Sequence, residues 1–420
     1  MENNQIDSIV STILQELKKS GIDVPGSAVV SPQAGGPSET AANIKRNVSS
    51  DKFKVAVLGA GHGGLATAGH IALRGFPVSI YSPFEKELEP IRNTGGIRLE
   101  GDVEGFVKLC SEQIYSLSTS LDQAIRGVDC VLIIMPALAH KTIASLIGPA
   151  LRDGLVVILS PGRTGGALEF AANLKRFANT KQILLGEAQT FLYAVESLGP
   201  AHVNVMKVKH KVWVAGLPAT NTNAILSVAN KFYPEYVPMT NVLETSLNNH
   251  GMVVHPAPML LNTGLLDLVA QGQKLGYYRD IISPTVCNLV MEKIDAEKCA
   301  IVKAYGLVPI TAKDWYRECY GIMGNTLYEV LQNNHYYAGF SAPKHFLGYY
   351  HVLDEVPNSL VPHEAFADVV GVETPMISAI MELANAMCII DFRNEGRTLD
   401  KLGFPKLERN AMLDFVNNVG

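Results

Sequence analysis

The chain has 420 residues, 47% of them hydrophobic and 18% charged, which is enough for two ordinary domains with sizeable cores. A net charge of −5, with the 35 Lys and Arg residues scattered singly, argues against a basic face for nucleic acid. No apolar run reaches the about 18 residues of a membrane span, the amino-terminal stretch has no secretory pattern, and the six cysteines (Cys110, Cys130, Cys287, Cys299, Cys319, Cys388) never approach C-x-x-C spacing. These features predict a cytoplasmic protein with reduced, buried thiols and no metal site.

Residues 5–19, QIDSIVSTILQELKK, place Ile6, Ile9, Val10, Ile13, Leu14 and Leu17 on one helical stripe. The spacing predicts an amphipathic helix within residues 1–19, and the Gly, Pro, Ser and Ala content predicts a flexible linker over 20–50. So short a helix is marginal alone in water, so its stripe should dock on a subunit or a partner. This pairing of helix and linker resembles the encapsulation peptides that carry enzymes into bacterial microcompartments, which would make a shell or cargo protein the partner.

FKVAVLGAG is a β-rich apolar run entering a glycine turn, and GGLATAGHIALRG continues it with helical spacing. Gly59, Gly61 and Gly64 fill a G-x-G-x-x-G pattern: the first makes the turn, the second admits a pyrophosphate, the third lets helix pack on strand. Ala60, His62 and Gly63 complete a loop whose backbone N–H groups would hold the phosphates. The next strand, FPVSIYS, ends in Tyr81 and Ser82, where an NAD-selective site usually carries an acid on the ribose. Ser82 could meet a 2′-phosphate and Glu85 would oppose one, so NADP or use of both NADP and NAD is expected.

VDCVLIIMPALAH and GLVVILSPGRTGGALEF read as two more buried strands ending in turns, which would set Pro136, Pro161 and Gly162 along the nicotinamide side of the cleft. QILLGEAQTF reads as a further strand, with Glu187 at its end either a site residue or a solvated terminus. From about residue 240 helical spacing replaces strand patterning. The expected organisation is α/β: a Rossmann dinucleotide-binding domain over 51–239, then a helical substrate and dimerisation domain over 240–420, with the active site between them.

SPGRTGGALEF, NVLETSLNNHGMVVHPAPMLLNTG, KDWYRECYG and DFRNEGRTLDKLG are more distinctive than the glycine pattern. Through them the chain resembles the octopine/nopaline (opine) dehydrogenase family from about residue 53 onward. The resemblance implies an all-helical carboxy-terminal domain like that of 6-phosphogluconate dehydrogenases, and a homodimer. It also implies reductive condensation of an α-keto acid with an amino acid or amine by NAD(P)H. The family's catalytic histidine falls on His255, with His250 as the nearby competitor. A residue before Pro is biased away from helical geometry, so His255 is expected to project from an irregular turn. The family's carboxylate partner falls on Glu355, although the order of Asp354 and Glu355 is reversed and Asp354 could serve instead. Tyr350 stands where the family has an arginine, five residues before the partner; Arg163, Lys344 and Arg397 are candidates to replace it on a substrate carboxylate. Arg393 and Arg397 would share a helical face, for substrate, cofactor or ion pairs. Two other readings stay open: a reductase of a simple keto or hydroxy acid, and a dinucleotide-binding protein without catalysis.

Overall fold

The structure is a computed structural model that describes residues 53–176, 181–347, 349–404 and 408–420, with only the backbone of Tyr349 and Tyr350. The amphipathic stripe of residues 5–19 and the linker lie outside the described residues.

Twelve described strands form two sheets. The larger has eight, built from β1 (Val55–Leu58), β2 (Val78–Tyr81), β5 (Ile114–Ser118), β6 (Cys130–Ile133), β7 (Val156–Leu159), β8 (Leu184–Ala188), β11 (Val212–Leu217) and β12 (Tyr236–Pro238). Their order is β12-β11-β8-β7-β6-β1-β2-β5, parallel throughout except where β11 meets β8. Strands β1, β2, β6 and β7 are buried at every position, which is why they read as unbroken apolar runs and not as alternating ones. The chain runs outward from β1 through β2 and returns to β6 on its other side, so the carboxyl ends of β1 and β6 open the crevice where such sheets bind ligands.

The smaller sheet has the order β4-β3-β10-β9, from β3 (Gly96–Gly101), β4 (Gly105–Lys108), β9 (Tyr193–Gly199) and β10 (His202–Val208). Sequence patterning did not separate it from the Rossmann unit. It packs on α1 (His62–Leu73), whose residues from Gly64 to Ala72 are buried. A Cβ on Gly69 would sit 2.5 Å from Leu99 Cδ1, so the small residues of α1 are the consequence of close packing by the second sheet.

Beyond β12 the described elements are helical, beginning with α4 (Val242–Leu247); α7 (Glu292–Ala304) and α10 (Pro375–Cys388) pack together, and Ile294 and Ile301 of the first and Ile377 and Met381 of the second are buried. Several helices are short because prolines interrupt them. Pro256 and Pro258 lack the N–H groups that would continue one helix through residues 251–261, so it divides into α5 (Gly251–Val254) and α6 (Pro256–Leu261). No single helix among the described residues is long and apolar enough to cross a membrane.

Candidate active site

Three turns at the carboxyl ends of β1, β6 and β7 form the floor of the crevice. In the first, Gly59 has φ +123°, and a Cβ there would overlap the carbonyl of Ile134. A Cβ on Gly64 would overlap the carbonyl of Gly59 in turn, whereas a Cβ on Gly61 would meet nothing within 4 Å. Gly59 and Gly64 are therefore demanded by packing, and Gly61 by whatever occupies the open space before α1. That helix has no side-chain cap, so its first N–H groups are available to a phosphate. This cradle fits the pyrophosphate of a dinucleotide. Ala60 is buried, His62 and Gly63 are partly exposed, and the Phe191 ring closes on Gly63. Burial lowers the pKa of His62, which keeps another positive charge away from the loop. Tyr81 is buried and contributes its carbonyl, which accepts the Gly59 N–H at 2.8 Å.

The second turn follows Pro136, and the third is Pro161, Gly162 and Arg163. Arg397 holds both. Its Nη1 donates to the carbonyls of Gly162 and Thr164, each at 3.1 Å, and Nη2 donates to the Ala137 carbonyl at 3.3 Å and to His140 Nδ1 at 3.1 Å. Nε donates to Glu169 at 2.8 Å. Glu187 fills the space beneath Gly162, accepting the Ala167 N–H at 2.8 Å and the hydroxyls of Thr245 and Ser246 at 2.7 Å each. Burial raises its pKa, against those hydrogen bonds. With its flanking carbonyls clamped, Arg163 adopts φ +60°, the left-handed region that a non-glycine residue seldom occupies.

That backbone sends the Arg163 side chain to two buried acids. Its Nη1 contacts Glu355 Oε1, and its Nε lies 3.6 Å from Asp354 Oδ2. The same Glu355 oxygen is 2.8 Å from His255 Nδ1. Ser359 donates to the other at 2.6 Å, and Asn249 donates to Ser359 at 2.7 Å. A Cβ on Gly251 would overlap both Glu355 and Arg163, so the glycine admits the ion pair. Burial alone would raise the Glu355 pKa, but Arg163, the bond to His255 and Ser359 together hold it at about 2. Asp354 goes the other way: burial raises its pKa in spite of Arg163, and the charge of Glu355 adds to the rise. No described contact joins Asp354 to His255; Asp354 Oδ1 accepts the Leu138 N–H at 3.0 Å, tying the segment that carries the two acids to the turn after β6.

His255 stands at the bend that joins α5 to α6, as an irregular turn would have it, but its φ −104° and ψ −62° lie in the helical region that a residue before Pro is expected to avoid. The proline bias yields because the packed helix pair dictates the backbone. Pro258 cannot satisfy the Val254 carbonyl, and Tyr277 Oη does so instead at 2.8 Å, also contacting the His255 carbonyl at 3.1 Å. The His351 ring stands edge-on to His255 at 4.9 Å, held neutral by burial and by the proximity of His255. Only His255 and Arg163, 16% and 17% exposed, reach the crevice from this cluster; both acids are closed off.

The comparisons accord with this architecture. Residues 238–388 match the family model described as NAD/NADP octopine/nopaline dehydrogenase, alpha-helical domain. An opine dehydrogenase of Arthrobacter sp. (strain 1C) is 36% identical over 352 residues, covering 84% of this chain and 95% of that one. The chain belongs to the octopine/nopaline (opine) dehydrogenase family. It is an NAD(P)-dependent oxidoreductase of the class acting on CH–NH. An octopine dehydrogenase solved with NADH and agmatine shares the fold at TM-score 0.67 and 19% identity, over 86% of this chain and 98% of that one. A yersinopine dehydrogenase with NADP+ bound does so at TM-score 0.64 and 15% identity, over 88% and 98%.

Within this family member the candidates separate clearly. His255, Glu355, Asp354 and Arg163 come together, and Glu355 is the acid in contact with the histidine. Arg397, one of the three candidates for a substrate cation, is 1% exposed with all three nitrogens engaged by protein, so it is a brace between turns. Arg393 does not share a helical face with it: the helix there is only Phe392–Glu395, and Arg393 pairs with Glu364 and Glu382. Lys344 is exposed, and no described contact joins it to the cluster. The side chain of Tyr350 lies outside the described residues. His250 is buried with its ring stacked on Trp315 at 4.1 Å, and burial drives its pKa well below the usual imidazole value. Ser359, Asn249, Gly251 and Tyr277 escaped the sequence reading, although Ser359 stands at helical spacing, four residues past Glu355.

Proposed function

We propose that the protein reduces the imine formed between an α-keto acid and an amino acid or amine, and runs the reverse oxidation. Bound NAD(P)H supplies hydride to the imine carbon. The observation that carries the reading is the 2.8 Å contact of His255 with an ionised, buried Glu355. A carboxylate there makes Nδ1 the donor and leaves the lone pair on Nε2. Protonated Nε2 gives its proton to the hydroxyl that leaves as water during imine formation, and neutral Nε2 takes one from the incoming ammonium. Glu355 stabilises the cation between these events. Arg163, partly exposed beside them, is the cation for the keto-acid carboxylate in place of the arginine that Tyr350 replaces.

The test follows NADH and NADPH oxidation across α-keto acids, each with and without amino acids or amines. Rates that need both substrates support the reading; reduction of a keto acid alone overturns it in favour of a simple hydroxy-acid dehydrogenase. For the amino-terminal region the reading is delivery into a bacterial microcompartment, supported by the stripe of residues 5–19 and the composition of the linker. Deleting residues 1–50 is expected to leave turnover unchanged, and loss of folding on deletion would refute it. The remaining enzyme is read as a cytoplasmic homodimer, which light scattering of the purified protein checks.

A further inference from the structure

The end of β2 is where an acid on the chain usually meets the adenosine ribose, and Ser82 occupies it here. Ser82 is fully buried, and its hydroxyl is already engaged on both sides: it accepts the Phe84 N–H at 3.1 Å and donates to Glu87 Oε2 at 2.6 Å. It has no hydrogen left for a phosphate. Glu87 lies in the first turn of α2 (Glu85–Thr94), and its N–H donates to the Phe84 carbonyl at 3.0 Å. The chain therefore turns back on itself within five residues, and a carboxylate returns to the strand end from which the sequence omits it.

The surrounding charges decide what this carboxylate can read. Among the described residues no cation pairs with Glu87. Arg92 is committed to Glu85 and to the Leu117 carbonyl, and Lys86 lies over the Phe84 ring, 5.6 Å from its centroid. An open helix terminus attracts phosphate by its dipole, but Glu85 and Glu87 already place two negative charges in that first turn. A ribose diol can donate to Glu87, whereas a 2′-phosphate would meet a second anion with no uncommitted guanidinium among the described neighbours to offset it.

We propose that Glu87, anchored by Ser82, reads the adenosine ribose hydroxyls and selects NAD(H) over NADP(H). The selection is independent of which keto acid and amine the enzyme takes, because it acts at the far end of the cofactor from the hydride.

The experiment measures binding of NADH and of NADPH to the full chain by calorimetry, with no other substrate, so its outcome does not depend on the condensation reaction. The wild-type protein is expected to bind NADH roughly 100-fold more tightly than NADPH. Glu87→Gln, which keeps size and removes charge, should bring the ratio to about 10-fold or less, mainly by improving NADPH binding. Ser82→Ala, which frees the carboxylate from its anchor, should lower the ratio by a smaller factor while thermal melting stays near that of the wild type. Equal or tighter binding of NADPH by the wild-type protein overturns the proposal. So does a ratio unchanged in Glu87→Gln, as a purely structural contact with Ser82 would produce, and so does failure of the wild-type chain to bind either nucleotide.

Discussion

The glycine turn and the cluster around Glu355 stand at the same edge of one sheet, yet six consecutive residues make the first and three distant stretches make the second. The turn works by leaving atoms out. Gly59 and Gly64 let backbone touch backbone, and Gly61 keeps a space clear. The cluster works by compensation: two buried acids, one arginine and one histidine are tolerable together and costly apart. Damage to the turn should therefore come from adding atoms, and damage to the cluster from removing or unbalancing charge.

The largest expected effect is on turnover. His255→Ala should lower kcat by about 10²- to 10⁴-fold while NADH binding, measured by calorimetry, persists; unchanged turnover would separate the cluster from the chemistry. Next come the glycines, which should fail in two different ways. Gly64→Ala drives a Cβ into the Gly59 carbonyl and should cost about 3 kcal/mol of stability or more in denaturant unfolding. Gly61→Ala has room in the protein, so stability should hold while the Kd for NADH rises by about 10-fold, or 1.4 kcal/mol. Equal loss of stability in both would mean that the open space serves packing and not the cofactor.

The neighbouring acids give a sharper contrast, because their pKa values move in opposite directions. Glu355 is depressed from 4.5 to about 2, so its contribution is full above about pH 4.5 and is lost as pH falls toward 2. That difference corresponds to roughly 3 kcal/mol at neutral pH, and Glu355→Gln should be destabilising at pH 7 with a deficit that shrinks on acidification. Asp354 is raised above 3.8, so its ionisation opposes folding once pH passes its folded value. Asp354→Asn should accordingly be neutral or stabilising at pH 8, with any advantage fading toward pH 4, as urea unfolding across this range would read. Identical pH trends for the two variants would contradict the assignment of Arg163 chiefly to Glu355. The smallest effect is expected at His250, whose ring nitrogens have no hydrogen-bond partner among the described residues and whose ring stacks on Trp315. His250→Leu should change kcat by less than about 3-fold and stability by about 1 kcal/mol at most; a collapse in turnover with intact folding would make it the competing histidine after all.

Most of the large sheet could be read in the sequence because a parallel strand buried on both faces is an apolar run bounded by turns, as at 55–58, 130–133 and 156–159. The smaller sheet was missed. Its strand β10 does alternate, with Val203 and Val205 buried between more exposed neighbours, but the meaning of that alternation lies in α1, whose small residues accept the sheet. The two arginines in the resembling motifs show the limit again. Arg163 and Arg397 are equally plausible cations in sequence, and only packing makes the second a buried brace and leaves an edge of the first in the crevice.

The sequence by itself determined the glycine turn and the change from strands to helices near residue 240, and its resemblance to the opine dehydrogenases singled out His255 as the histidine to examine. Each is written in residues that are neighbours along the chain or that carry a distinctive local pattern. Tertiary structure decided that Glu355 and not Asp354 faces the histidine, that Arg163 neutralises it, and that Glu87 returns to the end of β2. Charge compensation depends on distance in space, and burial sets its strength. Neither quantity is contained in spacing along the chain.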